Sequence, residues 1–201
     1  MSEPVMKKSQ VKLWFLIPFI LFLAFIVMMF FRLGKSTEII PSNALNKPVP
    51  SFSLPLLDER SLTDNAPVVS NADLPKQPYL INVWGSWCPT CKIEHPYLMQ
   101  LKQEGIPIVG INYKDEPQEA LAYLSERGDP FAINIQDLSG GFAIDLGLTG
   151  APETFLVDKQ GNIRQHIVGE INEGNWQDRI LPCLQTLNNT TEQSKIAEVC
   201  V

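Results

Sequence analysis

The most constraining feature of this 201-residue sequence is a Cys-x-x-Cys pair placed where an apolar strand meets a helix. The run YLINVW at residues 79–84 is almost continuously apolar, which is typical of a central strand covered on both faces. Cys88 and Cys91 follow this run and stand at the start of a helical pattern. In open α/β sheets, catalytic and ligand sites gather at the carboxyl ends of such strands. The sequence therefore predicts an α/β domain whose functional site contains both cysteines.

Strand-like and helical segments alternate along most of the chain. Six segments are predicted as strands: Ser51–Leu57, Tyr79–Trp84, Pro107–Asn112, Ala132–Gln136, Thr154–Asp158 and Ile163–Val168. Four are predicted as helices: Pro89–Glu104, Glu116–Arg127, Gly141–Leu146 and Glu173–Leu187. The last two strands are joined by a turn containing Gly161, which predicts a hairpin. The order, βαβ first and ββα last, predicts a thioredoxin-like fold with a central mixed sheet flanked by helices.

Composition excludes several classes of protein. With 45% hydrophobic and 19% charged residues, the chain can bury a core and does not have the composition of a disordered protein. Sixteen Lys and Arg against 22 Asp and Glu give a net charge of −6, which argues against nucleic-acid binding.

The N-terminal region contains an uncharged apolar run from Leu13 to Phe31. Its length matches the roughly 20 residues that a helix needs to cross a bilayer core of about 30 Å. The run is longer than the apolar part of a signal peptide and no small-residue cleavage site follows it, so we predict an uncleaved anchor, with a cleaved signal peptide as the alternative. The basic residues favour a cytoplasmic N-terminus, since three precede the run and two follow it: Lys7, Lys8, Lys12, Arg32 and Lys35.

These observations divide the chain into five parts. They are a cytoplasmic N-terminus (1–12), a transmembrane anchor (13–31), a linker (32–47), a thioredoxin-like domain (48–188) and a C-terminal tail (189–201). The linker mixes polar, small and proline residues with little periodicity. The predicted arrangement is that of a single-pass protein of a bacterial inner membrane with its catalytic domain in the periplasm.

Two cysteines at this spacing can bind structural zinc, attach haem covalently or carry out thiol–disulfide exchange. They can also form a structural disulfide. Structural zinc needs a second ligand pair at short spacing, and the remaining two cysteines and two histidines are too far apart in the sequence, so we expect no metal. Covalent haem attachment needs a histidine after the second cysteine, where this chain has Lys92. Thiol–disulfide exchange remains the favoured chemistry, and a structural disulfide is the alternative.

The predicted helix start suits thiol–disulfide exchange. Unpaired backbone N–H groups and the helix dipole would stabilise a thiolate at Cys88. Pro89 is compatible with the first helical turn, where its missing N–H is not needed. We therefore expect Cys88 to be the exposed, attacking sulfur and Cys91, one turn further, to be the more buried resolving sulfur.

Longer motifs around the pair carry a resemblance to a known family. They are WGSWCPTCKIEHPYL around the cysteines, Asn-Tyr-Lys-Asp at 112–115 and Gly-Ala-Pro-Glu-Thr-Phe at 150–155. With these motifs in this order, the chain resembles the DsbE/CcmG family, which are membrane-anchored, periplasmic, thioredoxin-like proteins of cytochrome c maturation. The resemblance covers about residues 45–182 and implies a thiol–disulfide oxidoreductase with no cofactor beyond its redox-active cysteine pair.

The resemblance also implies a substrate and partners. The substrate would be the Cys-x-x-Cys-His site of apocytochrome c, or a mixed disulfide between that site and a cytochrome c maturation protein, before haem is attached. An upstream membrane thiol reductant would reset the cysteine pair. Two alternatives stay open: a general periplasmic disulfide oxidase or isomerase, and a non-catalytic module that holds apocytochrome c.

Individual site residues follow from the same resemblance. Asn82 occupies the position where thioredoxins usually have a buried Asp, and Glu94 is the expected replacement, a carboxyl that accepts the proton of the resolving thiol. If Glu94 is buried, its pKa rises toward neutrality. Ala151–Pro152 matches the family's cis peptide bond, a geometry almost confined to X-Pro bonds. The expected substrate groove consists of Trp87, Pro89, Thr90, Ala151, Pro152 and Glu153.

Four further residues stand outside the family pattern or outside the predicted chemistry. Cys183 and Cys200 are expected to form a structural disulfide that fixes the C-terminal tail, in preference to free or regulatory thiols. His95 and His166 are expected to be structural or surface residues, because nothing in the sequence orients either of them toward Cys88.

Overall fold

The computed structural model describes residues 16–33, 44–63 and 65–200, in two units that divide after residue 40. The first unit contains helix α1 (Ile17–Leu33), whose side chains are exposed over residues 17–29. Among the residues described, no helix has both the length and the apolar character needed to cross a membrane. Residues 1–12, residues 13–15 of the predicted anchor and residues 34–43 of the predicted linker lie outside the described part of the chain.

The second unit contains seven strands and six helices within the described residues. The strands are β1 (Ser53–Pro55), β2 (Val68–Ser70), β3 (Tyr79–Trp84), β4 (Ile108–Tyr113), β5 (Ile133–Asp137), β6 (Glu153–Val157) and β7 (Ile163–Val168). The helices are α2 (Pro89–Gln103), α3 (Pro117–Arg127), α4 (Gly141–Asp145), α5 (Glu173–Asn175), α6 (Leu181–Asn189) and α7 (Gln193–Val199). Short 3₁₀ turns cover Glu59–Thr63 and Asn71–Asp73.

Five strands form a mixed sheet in the order β5-β4-β3-β6-β7. β3, β4 and β5 are parallel, whereas β6 and β7 are antiparallel to their neighbours. Strand β3 is central and all six of its residues are buried. This topology confirms the predicted thioredoxin-like fold and places the carboxyl end of β3 directly before the cysteine pair.

Side chains of β3 alternate between two apolar cores, as expected for a strand covered on both faces. Leu80 and Trp84 belong to the core that also contains the cysteine pair and residues of α2, whereas Ile81 and Val83 belong to the core on the other face. The Trp84 ring stacks on Phe131 with 5.3 Å between ring centroids, which makes Trp84 a packing residue.

The predicted C-terminal helix is interrupted. A π-helical turn at Trp176–Ile180 separates α5 from α6. Pro182, in the first turn of α6, has no N–H to donate, and its ring would clash with the carbonyl four residues earlier in a regular helix. The π turn accommodates this proline because the N–H of Leu181 bonds to the carbonyl of Trp176, five residues earlier.

The ends of the predicted domain also have defined structure. Asn46 and Lys47, in the predicted linker, bond through their backbones to Ile163 of β7. The predicted tail contains α7, and a disulfide joins Cys183 of α6 to Cys200 at the end of α7. The expected Cys183–Cys200 disulfide is therefore confirmed.

Candidate active site

The cysteine pair lies at the N-terminus of α2. Cys88 and Cys91 form a disulfide with 5.3 Å between their Cα atoms. Cys88 is the N-cap residue, and the backbone N–H of Cys91 donates to the Sγ of Cys88 at 3.1 Å. Pro89 is the first residue of the helix. An N–H donor and the positive end of the helix dipole thus point at Cys88, which favours negative charge on this sulfur.

The burial of the pair differs from the prediction. Cys88 is 2% exposed and Cys91 is 3% exposed, so the expectation that Cys88 is the exposed sulfur is wrong for this disulfide form. The cause is a loop that packs over the pair, since the Sγ of Cys88 lies 3.6 Å from the carbonyl oxygen of Ala151. What distinguishes Cys88 from Cys91 is its position at the helix start and its contact with this loop.

The predicted groove residues lie at different depths around the pair. Trp87 is 50% exposed and Pro89 is also exposed, whereas Thr90 and Ala151 are half-buried. Pro152 is buried, and the Ala151–Pro152 peptide bond is cis, as predicted.

The loop before Cys88 is held by Asp115, a residue to which the sequence assigned no role. Its carboxylate accepts hydrogen bonds from the backbone N–H of Ser86 at 2.6 Å, from the Ser86 hydroxyl and from the amide of Asn112. The Nε1–H of Trp87 donates to the backbone carbonyl of Tyr113 at 3.2 Å. These bonds tie the active-site loop to the end of β4. The one indication of this role in the sequence is that Asp115 ends the Asn-Tyr-Lys-Asp motif. The asparagine and the aspartate of this motif are hydrogen-bonded to each other.

Gly85 permits the close approach of the Trp87 ring to this loop. A Cβ atom at Gly85 would lie 2.6 Å from the Nε1 of Trp87, a distance that real Cβ contacts essentially never show. A side chain at residue 85 would therefore displace the Trp87 ring from this position.

Glu94 lies one helical turn after Cys91 on α2 and is buried, which is the condition under which its pKa is expected to rise. It is 2% exposed, its Oε1 accepts from the Nδ2 of Asn82 at 3.0 Å and its Oε2 accepts from the backbone N–H of Ile171 at 2.9 Å. Burial raises the pKa of Glu94 to about 7, against the opposing effect of these two hydrogen bonds, and the charge of Glu170 raises it further. A carboxyl that titrates near neutrality can both accept and return a proton under physiological conditions.

Glu153 does not line an open groove, and its predicted placement needs a correction. It is completely buried, and its carboxylate accepts hydrogen bonds from the backbone N–H groups of Thr149 and Gly150, from the Thr149 hydroxyl and from the Nε2 of His166. These hydrogen bonds replace the water that would surround the carboxylate at the surface. Glu153 therefore supports the loop that contains the cis peptide bond.

The two histidines are structural, as predicted. The Nε2 of His95 lies 3.0 Å from the carbonyl oxygen of Gly128, and burial lowers the pKa of this imidazole. His166 is buried on β7. Its contact with Glu153 was not predicted from the sequence, and the register of the predicted hairpin was the one signal that could have shown it.

The cysteine pair at a helix N-terminus, next to a cis-proline loop and one turn before a buried carboxyl on the same helix, is the arrangement of a thiol–disulfide oxidoreductase of the thioredoxin fold. The family model described as Redoxin matches residues 44–180. The chain is 42% identical to the thiol:disulfide interchange protein DsbE of Pseudomonas aeruginosa, over 88% of this chain and 96% of that protein. It therefore belongs to the redoxin family, among the DsbE thiol:disulfide interchange proteins.

Two further similarities agree with this assignment. The thiol:disulfide interchange protein DsbE of Escherichia coli K12 is 40% identical, over 89% of this chain and 97% of that protein. The crystal structure of a thio-disulfide isomerase from Thermus thermophilus superposes with a TM-score of 0.54 at 27% identity, covering 68% of this chain and 94% of that chain.

Proposed function

We propose that this protein reduces disulfides of apocytochrome c, or of a mixed disulfide between apocytochrome c and a maturation partner, before haem is attached. The observation that carries the proposal is the Cys88–Cys91 disulfide at the N-terminus of α2, in a chain closely related to DsbE proteins over nearly its whole length. The reducing direction and the apocytochrome substrate rest on the resemblance to the DsbE/CcmG family.

The proposed reaction consists of two thiol–disulfide exchanges. The Cys88 thiolate attacks one sulfur of the substrate disulfide, which forms a mixed disulfide and releases the other substrate sulfur as a thiolate. The Cys91 thiolate then attacks the Cys88 sulfur, which releases the second substrate thiol and closes the Cys88–Cys91 bond. Two electrons pass from the protein to the substrate, and an upstream membrane thiol reductant returns them. The two sulfurs carry the electrons, so the reaction needs no added cofactor.

Glu94 accepts the Cys91 proton in this scheme. Its pKa of about 7 lies between the values of a surface carboxyl and an ordinary thiol, so it is partly ionised at neutral pH. The half-buried Ala151 carbonyl, next to Cys88, is available to pair with an extended substrate segment, while Trp87, Pro89 and Thr90 form the other wall of the groove.

The proposed location is the periplasmic face of a bacterial inner membrane. The support is the uncharged run from Leu13 to Phe31, which is long enough to act as a single anchor, and the modest excess of basic residues before it. In this arrangement the catalytic domain, which includes Cys88, lies in the periplasm.

Trapping the mixed disulfide in cells tests the proposal. In the Cys91→Ser variant the second exchange is blocked, so substrate stays joined to Cys88 and can be identified by mass spectrometry after non-reducing separation. We expect apocytochrome c or a cytochrome c maturation protein, and we expect the adduct to vanish in the matched Cys88→Ser/Cys91→Ser variant. Capture of many unrelated disulfide proteins would instead indicate a general oxidase or isomerase. Normal cytochrome maturation with the double variant would indicate a holding module.

A further inference from the structure

The loop that packs on Cys88 is held from below by one buried carboxylate. Thr149 and Gly150 are exposed, and their backbone N–H groups donate to Glu153 at 3.1 and 3.0 Å. The next residue, Ala151, contacts Cys88. The position of the groove wall therefore depends on where the Glu153 carboxylate is fixed.

His166 fixes that carboxylate. Its Nε2 lies 2.8 Å from the Oε2 of Glu153, with the two side chains 5% and 0% exposed. The imidazole also stacks on Phe155, its cross-strand neighbour between β6 and β7, with 4.1 Å between ring centroids. The ring thus has little freedom to move. A carboxylate in such a buried position needs every available donor, because water cannot replace a lost one.

We propose that His166 is a positioning residue for substrate binding: its hydrogen bond to Glu153 sets the loop at Thr149–Pro152, and through Ala151 it sets the groove beside Cys88. The inference rests on the proposed role of this loop in binding the substrate segment. His166 touches neither cysteine and does not take part in the exchange itself. It acts through Glu153 on the affinity for the substrate.

This proposal separates affinity from reactivity. The thiolate of Cys88 depends on the start of α2 and on the N–H of Cys91, which belong to elements other than the Glu153 loop. Removing the donor at His166 leaves these groups in place and frees the Thr149–Pro152 loop. Substrate binding weakens as a result, whereas the bound substrate reacts as before.

Single-turnover kinetics test the separation. The reduced protein is mixed with a generic peptide disulfide and followed by tryptophan fluorescence, since Trp87 adjoins Cys88. The dependence of the rate on peptide concentration gives an apparent dissociation constant and a maximal rate. In His166→Leu we expect the dissociation constant to rise about tenfold, as for the loss of a hydrogen bond to a charged group, with the maximal rate within about twofold of wild type.

Three variants provide controls. His166→Gln keeps an N–H donor and should restore the dissociation constant to within about threefold of wild type. His166→Phe keeps the ring on Phe155 without the donor and should behave like His166→Leu, so it serves if the leucine variant fails to fold. Gln165 neighbours His166 on β7, and Gln165→Leu removes a partly buried hydrogen bond to the Arg179 carbonyl, so this variant should leave both constants unchanged.

Equal dissociation constants in wild type and in a folded donor-free variant would overturn the proposal. So would a His166→Gln variant no better than His166→Leu. Because the probe is a generic peptide disulfide, a failure of the apocytochrome assignment would leave these results intact. The trapping of Cys91→Ser tests that assignment separately.

Discussion

The two disulfides of this domain are alike in geometry and burial, but only Cys88 among their four cysteines is the N-cap of a helix. Their Cα–Cα distances are 5.3 Å for Cys88–Cys91 and 4.9 Å for Cys183–Cys200, and all four cysteines are buried. Cys88 caps the N-terminus of α2, whereas Cys200 follows the C-terminus of α7, where its N–H bonds to the carbonyl of Ile196. A helix stabilises negative charge at its N-terminus and disfavours it at its C-terminus.

The immediate contacts of the two disulfides also distinguish Cys88 from the other cysteines. The Cys88 sulfur receives an N–H from Cys91 and touches the groove loop at Ala151. All four cysteines belong to the same apolar core, so these two contacts of Cys88, and not apolar packing, set the active-site pair apart. The comparison teaches that burial alone does not separate a redox-active disulfide from a structural one. The electrostatic environment of the attacking sulfur and its access to a binding loop make the difference.

Removing the attacking cysteine of one pair and both cysteines of the other should separate the two disulfides most clearly. Cys88→Ser should reduce the rate of peptide disulfide reduction about 1000-fold or more, to the uncatalysed level, because the attacking thiolate is gone. Cys183→Ser/Cys200→Ser, the matched variant, should keep the rate within about threefold of wild type. The single-turnover fluorescence assay described above measures both. Equal losses of rate in the two variants would show that the C-terminal pair is also catalytic.

The free energy of unfolding, unlike the rate, should depend more on the Cys183–Cys200 bond than on the Cys88–Cys91 bond. The Cys183–Cys200 bond closes a loop of 17 residues in sequence separation, so Cys183→Ser/Cys200→Ser should lower the free energy of unfolding by about 3 kcal/mol. Denaturant unfolding measures this difference. Cys88→Ser/Cys91→Ser opens a loop with a sequence separation of only 3 and should cost less. A larger loss from the active-site pair would contradict the structural role of the C-terminal bond.

The titration of Glu94 should make the free energy of unfolding depend on pH, with a smaller effect than the loss of the Cys183–Cys200 bond. Its pKa is raised from 4.5 to about 7 by burial, so the folded state holds the proton more tightly than the unfolded state. The stability gained from this proton is complete below about pH 4.5 and is lost as the pH rises through about 7. Relative to Glu94→Gln, wild-type stability should therefore fall by about 2 kcal/mol between pH 5 and pH 7.

Denaturant unfolding of both proteins at a series of pH values measures this change. The difference between them isolates the carboxyl, because all other titrating groups are common to both. Parallel stability curves would mean that Glu94 titrates as an ordinary surface carboxyl and has no special capacity to take the Cys91 proton.

The sequence predicted those elements whose pattern is local. The bounds of β3 and β7 agree with the prediction, because a continuous apolar run and a hairpin are visible in the residues themselves. Strand β2 is only three residues long and depends on pairing with β1, so no local pattern indicates it. Helix α7 has Ile196 as its buried residue and is held by the disulfide at Cys200, a tertiary constraint.

The same distinction applies to the candidate site. The spacing of Cys88 and Cys91 and the turn that brings Glu94 beneath them can be read from one helix. The packing of the Thr149–Pro152 loop over Cys88 and the inward orientation of Glu153 could not be read from one helix. Both depend on a loop from a distant part of the chain. The contacts behind the role we propose for His166 depend on the register between β6 and β7, which places it opposite Phe155.

The most direct test of the contrast between the two pairs is the ionisation of Cys88 in the reduced protein. The protein is alkylated with iodoacetamide over a range of pH, and mass spectrometry locates the label. The pH dependence of labelling at each cysteine gives the ionisation of its thiol. We predict that Cys88 reacts first and ionises well below the value of about 8.5 of an ordinary cysteine, under reduction mild enough to leave Cys183–Cys200 intact. Ionisation of Cys88 at or above that value would contradict the assignment of a stabilised attacking thiolate.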